Sequence, residues 1–247
     1  MELEICVDSV ESAIAAEAGG ADRVELCSAI SEGGLTPSIG MMRAVRARIE
    51  IGMFVMIRPR GGDFVYSPEE LNSMRDDIAC AAGEGADGVV LGLLTPEGSV
   101  DVENTGLLAT LAAPMQVTFH RALDMTRDLG VALEDVVRTG AHRVLTSGGA
   151  NTALHGSKRT ASLVRAAGRR IRIMVCGQIR PSNVGEVAAL TGAREFHASL
   201  RKPVSGPMLY RNTVIQLGDD HQDDYARFRT FSEDVRQLRE ALDAIHV

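Results

Sequence analysis

Tryptophan is absent from the sequence, and aromatic residues of all kinds reach only 4%. A core stacked from rings is excluded, so the packing must rest on Ile, Leu, Val, Ala and Met. Positive charge is short as well: 26 Lys and Arg against 33 Asp and Glu leave a net charge of −7. That balance argues against a nucleic-acid or anionic-membrane partner, while leaving room for a local basic pocket. No apolar run approaches the ~18 residues of a membrane span. Residues 1–10, MELEICVDSV, lack the basic and apolar regions of a signal peptide, so a cytoplasmic protein is expected. The four cysteines, at 6, 27, 80 and 176, form no C-x-x-C pair. In a reducing compartment they are expected to be free thiols.

What is present is a regular alternation. Short β-rich runs recur at LEICV (3–7), RVEL (23–26), GMFVMI (52–57), GVVL (88–91), QVTF (116–119), HRVL (142–145), IRIMV (171–175) and EFHA (195–198). Each is followed by a helical stretch, with no two-residue hairpin turn between runs, which predicts an α/β protein with parallel strands. Thr36-Pro37 and Ser67-Pro68 read as helix starts, and Ser67 with Glu70 as a capping box. Gly19-Gly20, Gly83, Gly85, Gly140 and Gly192 fall where helices should stop. With no linker or low-complexity segment, residues 1–247 are expected to form one domain. Eight βα units in this length predict a TIM (β/α)8 barrel, with a doubly wound open sheet as the alternative.

The tail adds an acidic stretch, DDHQDD from Asp219. Thr230 and Glu233 then read as a second capping box, followed by Phe231, Val235, Leu238, Leu242 and Ile245 at helical spacing. An additional C-terminal helix is expected, its apolar face buried on the barrel or used as a subunit contact.

Strand residues of a barrel alternate between the lumen and the helix layer. With Leu3, Ile5 and Val7 facing the helices, Glu4, Cys6 and Asp8 face inward. The same alternation turns Glu25, Cys27, Phe54, Met56, Arg58, Thr118, His120, Cys176 and His197 inward. The polar ones gather at the strand C-terminal ends, where barrel enzymes build their sites. Arg58 either pairs with Glu25 or presents its charge to an anion, with Arg60 beside it at the mouth. His120 reads as a general acid/base or as a hydrogen-bonded core histidine. Arg121, Asp124, Thr146, Ser147, Gly177, His197 and Ser199 fill out a pocket for a small anion, with Gly-rich turns leading to helix N-termini. Cys6 and Cys27 end adjacent strands about 4.8 Å apart. They suit Cu(I), or zinc with further ligands, or simply pack as small buried side chains. Cys176 and His197 extend this to a possible arc of soft ligands, while Cys80 falls in a helix.

These stretches carry a resemblance. EICVDSVESA, GGADRVELC, EGGLTPS, IRPRGGDFVYS, VTFHRALDM, RVLTSGG, EFHAS and MLYRN, in that order from Leu3 to Tyr225, resemble the CutC copper-homeostasis proteins. The resemblance implies a TIM barrel, a cytoplasmic homo-oligomer (a homodimer or homotetramer), and Cu(I) binding by the cysteines matching Cys6 and Cys27. One departure stands out: where the family has a glycine triplet after the seventh strand, this chain reads Cys176-Gly177-Gln178. Three readings remain open, the last of them a structural oligomeric protein whose mouth is only an ion-pair network. The first is a Cu(I)-binding homeostasis protein. The second is a TIM-barrel enzyme acting on a small anionic metabolite, with Glu25, Arg58 and His120 catalytic.

Overall fold

Runs of β-branched and aliphatic residues separated by helices give strands that cannot pair by hairpins, and the chain solves this with crossovers. In the computed structural model, which describes residues 1–215, 217 and 224–245, eight parallel strands close into a barrel. They are β1 (Glu2–Val7), β2 (Arg23–Leu26), β3 (Gly52–Met56), β4 (Gly88–Leu91), β5 (Gln116–Phe119), β6 (Arg143–Thr146), β7 (Arg172–Val175) and β8 (Glu195–Ala198). Closure is made by β1, which pairs with β2 on one side and β8 on the other. This registers Cys6 against Glu25 and Glu4 against His197. The open-sheet alternative is thereby excluded. A polar two-stranded antiparallel pair, β9 (Lys202–Ser205) and β10 (Ala226–Arg229), lies outside the barrel.

Eight helices make the outer layer: α1 (Val10–Ala18), α2 (Ile39–Arg46), α3 (Pro68–Gly83), α4 (Val102–Ala112), α5 (Leu129–Arg138), α6 (Ala153–Ala167), α7 (Val184–Thr191) and α8 (Ser232–Asp243). The Ser67 capping box forms as expected: Ser67 Oγ accepts from the Glu70 amide, and the Glu70 carboxylate accepts from the Ser67 amide at 2.8 Å. Two other expected starts do not. α2 is capped by Ser38, because the Thr36 hydroxyl accepts instead from the Arg58 amide at 2.9 Å. α8 begins after Phe231, which makes no side-chain cap. Thr230 is buried against α1, its amide donating to Ser12 Oγ. The expected C-terminal helix is α8 itself, and it fills the eighth place in the ring between α7 and α1. Val235, Leu238 and Leu242 form its buried face. Gly19 permits the approach: a Cβ there would come 2.4 Å from Val235 Cβ. Residues 219–223 of the acidic stretch lie outside the described residues.

The alternation along the strands sorts two cores. Leu3, Ile5, Val7, Val24, Leu26, Val117, Phe119, Val175 and Phe196 pack under the helices. Inside the barrel, Cys6, Cys27, Phe54, Met56 and Val90 form a separate cluster. Below them the strand N-terminal ends are closed by charge. Arg23 donates to Glu4 at 2.7 Å and to Glu195 at 2.8 Å, and Arg143 also donates to Glu195. Both guanidinium groups lie over the Phe54 ring, at 5.4 and 5.3 Å. Buried ions persist only when paired and hydrogen-bonded, and this floor satisfies that condition.

Candidate functional site

Above the floor, β1, β2 and β8 each send polar side chains into the same part of the lumen. Cys6 and Cys27 lie with their sulfurs 3.8 Å apart. Cys27 Sγ is 3.4 Å from Glu25 Oε2. His197 reaches both carboxylates, with Nδ1 2.7 Å from Glu4 Oε1 and Nε2 3.9 Å from Glu25 Oε2. Two overlapping trios result, Cys6–Glu25–Cys27 and Glu4–Glu25–His197, each with ligand atoms within 4.8 Å of one another. All but His197 are buried, and His197 is nearly so. The placement follows from period-2 alternation on three neighbouring strands.

Crowding polarises these groups. Burial acts to raise Glu4, but the His197 hydrogen bond and the Arg23 charge outweigh it and hold the carboxyl down at about 2. The hydrogen bond shared with Cys27 is the largest influence on Cys6, and against burial it brings that thiol down to about 5, helped by His197. The same shared hydrogen bond, and burial, push Cys27 well above the usual thiol range. Burial pushes Glu25 well up, against the pull of His197. Burial opposes charge on His197, yet Glu25, Cys6 and Glu4 raise it well above the usual imidazole range. The shifts run in opposite directions within the set: Glu4 and Cys6 are drawn toward their charged forms, while Glu25 and Cys27 are drawn toward their protonated ones.

His120, at the end of β5, is buried beside Phe64, ring centroids 5.0 Å apart. Its Nδ1 accepts from the Ala122 amide at 3.2 Å, which assigns the ring proton to Nε2. Nε2 is buried with no partner. Burial, and then the Arg58 charge, bring the imidazole down to about 3. His120 is thus neutral, with one N–H to donate and its other nitrogen already engaged.

Arg58 does not pair with Glu25. Its guanidinium donates to three backbone carbonyls, of Glu32 at 2.6 Å, Gly34 at 3.1 Å and Gly62 at 2.9 Å, and lies over Phe64 at 5.0 Å. It ties the loop after β2 to the loop after β3. Arg60 is likewise committed, to Glu70 at 2.6 Å and Asp63 at 3.1 Å. Arg58 Nε, by contrast, is buried with no partner.

The loop after β6 also differs from the expected anion cradle. Asp124 accepts from the amides of Ser147 and Gly149, at 3.0 and 2.8 Å, and from the Thr146 and Ser147 hydroxyls. Arg121 pairs with Asp124 at 2.9 Å and donates to Ser147 Oγ. An internal carboxylate occupies the amides that an external anion would use. Gly177, with φ +100°, turns its carbonyl to the Ala153 amide at the start of α6. The next residue, Gln178, adopts φ +60°, a left-handed conformation that glycine takes without strain. Ser199 follows β8 at the mouth, half-buried. Cys176 is buried against Leu145 and Met174 and joins neither ligand trio. Glu4 is the residue that sequence reading left out of the site. Its inward position on β1 was readable, and strand closure beside His197 was the missing half of the signal.

Comparison with known proteins gives a consistent result. The CutC family model matches residues 1–202. A CutC family protein of Chromobacterium violaceum is 49% identical over 241 residues, 98% of each chain. The human copper homeostasis protein cutC homolog is 47% identical over 216 residues, covering 87% of this chain and 79% of its own. The crystal structure of CutC from Streptococcus agalactiae superposes with a TM-score of 0.76 at 32% identity, covering 80% of this chain and 97% of that one.

Proposed function

The chain belongs to the CutC family, and from that premise we propose that it is a copper homeostasis protein whose cargo is Cu(I), held by Cys6 and Cys27. The observation that carries this reading is the thiol pair itself: two sulfurs 3.8 Å apart in the lumen, one of them a thiolate near neutral pH. Thiolates are the donors a soft monovalent ion selects. The human relative's name, a copper homeostasis protein, points the same way. The reading also places the chain in the cytoplasm, where a reducing poise keeps adjacent thiols available. It further places a subunit contact along the segment after β9. There Met208, Leu209, Tyr210, Val214 and Ile215 stand exposed, Leu209 at 97%. Apolar surface of that kind marks an association site, and a homodimer or homotetramer fits it.

Anaerobic Cu(I) titration of the reduced protein and of the Cys6→Ser/Cys27→Ser double variant is the test. Tight binding in the parent and its loss in the variant are expected. A second reading, an enzyme acting on a small anionic metabolite, is favoured by the unpartnered His120 Nε2–H, a donor suited to a substrate oxygen. Unchanged Cu(I) stoichiometry and affinity in the double variant would remove the copper reading and leave the His120 side of the lumen to carry function.

A further inference from the structure

The two thiols are half of a larger donor set. Glu25 Oε2 lies 3.4 Å from Cys27 Sγ and 3.9 Å from His197 Nε2. Its other oxygen, Oε1, is buried with no partner. A carboxyl oxygen left in that state calls for a cation or a further hydrogen bond. His197 is oriented from behind, because its Nδ1 is 2.7 Å from Glu4 and its Nε2 is turned toward Glu25. A carboxylate on the far nitrogen of an imidazole is the standard support for a metal-binding histidine.

Bond lengths discriminate between metals. Zinc–sulfur bonds of about 2.3 Å at a tetrahedral angle set two sulfurs about 3.8 Å apart. The Cys6 and Cys27 sulfurs are 3.8 Å apart. An ion held in line between two thiolates by bonds of the same length needs about 4.6 Å, so that arrangement must spread the pair. Oxygen and nitrogen ligands on one zinc tetrahedron sit about 3.4 Å apart, so Glu25 and His197 close by about half an ångström, and His197, which falls in a different trio from the thiols, must also swing toward them on loading. Carboxylate is moreover a ligand suited to harder divalent ions and ill suited to Cu(I).

We infer that Cys6, Cys27, Glu25 and His197 form a four-donor tetrahedral site for a divalent ion of zinc type, beyond the Cu(I) role proposed above. This rests on the same thiol pair being a metal site, but it adds two ligands that Cu(I) does not need. Two thiolates and a carboxylate leave the loaded centre at net −1. The Arg23 guanidinium, hydrogen-bonded to Glu4 behind His197, lies on the side that balances it. Four protein donors fill the tetrahedron and leave no position for a reactive water, so the ion is retained or exchanged and does not serve as a hydrolytic centre.

The experiment is titration of the reduced full chain with Zn²⁺ alone, with Co²⁺ as a spectroscopic substitute. One ion per chain is expected. The Co²⁺ form should show thiolate-to-metal charge transfer and the intense visible bands of four-coordination. Glu4→Gln should weaken Zn²⁺ binding by about 10- to 100-fold. Glu25→Gln and His197→Gln should weaken it more. Circular dichroism identifies any variant that fails to fold, and the Co²⁺ spectrum of the parent protein then decides. Unaltered Zn²⁺ affinity in folded Glu25→Gln and His197→Gln, or a six-coordinate Co²⁺ spectrum without sulfur bands, overturns the inference. Cu(I) binding without Zn²⁺ binding removes this inference alone. Binding of neither metal removes it together with the copper reading. Zn²⁺ binding without Cu(I) binding upholds the inference and removes the copper reading.

Discussion

Two thiols in contact inside a protein do not titrate as independent groups. Their shared hydrogen bond, across 3.8 Å between the sulfurs, draws Cys6 down to about 5 and pushes Cys27 well up. His120 shows the opposite case, a group denied its charge. An unfolded chain protonates this residue near pH 6.5, whereas the folded one does so only near 3. Its stabilising contribution is therefore complete above about pH 6.5 and declines as pH falls toward 3, at about 1.4 kcal/mol per pH unit. His120→Gln should flatten the loss of stability between about pH 6.5 and about pH 5. Urea unfolding of parent and variant at both ends of that window checks it, and parallel curves refute the assignment. Residues such as these were legible as inward-facing from the alternation in LEICV, VELC and VTFH. Arg58 was legible as buried but not in its role. Its partners are main-chain carbonyls of residues 32, 34 and 62, whose positions depend on the path of two loops.

At the level of elements, strands read more clearly than helix starts. All eight barrel strands fall within about one residue of the apolar runs, because each run is short and lies between helical stretches. Helix starts depend on competition for side chains. Thr36 looked like a cap, but its hydroxyl is taken by the Arg58 amide and Ser38 caps α2 instead. The β9–β10 pair was not legible, since its strands are polar and its two halves are far apart in sequence. The ring-closing contact of α8 makes a prediction at this scale. Gly19→Ala places a methyl 2.4 Å from Val235 Cβ and 2.6 Å from the Ser232 carbonyl. Backbone must move at the α1–α8 contact, and a loss of about 1–3 kcal/mol is expected in chemical denaturation. Hydrogen exchange should localise the loosening to α1 and α8, and an unchanged midpoint would contradict the packing described.

For the whole molecule the decisive feature is the charged floor. Glu195 neutralises both Arg23 and Arg143 deep among the strand N-terminal ends. Glu195→Gln keeps the shape and removes the charge, leaving two buried guanidinium groups undercompensated. A loss of about 3 kcal/mol is expected, read from the urea midpoint, with a shift near zero counting against the floor as a stabilising element. Periodicity alone left ring and open sheet undecided, because both are built from the same βα units. Only the pairing of β1 with β8 separates them.

The floor has a consequence for traffic. Arg23, Arg143, Glu4, Glu195 and Phe54 stopper one end of the lumen, so it is a blind well and not a conduit. Whatever reaches Cys6 and Cys27 arrives past the strand C-terminal loops and departs by the same doorway. A delivering molecule and a collecting one must then take turns at a single opening, and handover proceeds by exchange at that rim, never by passage through the barrel.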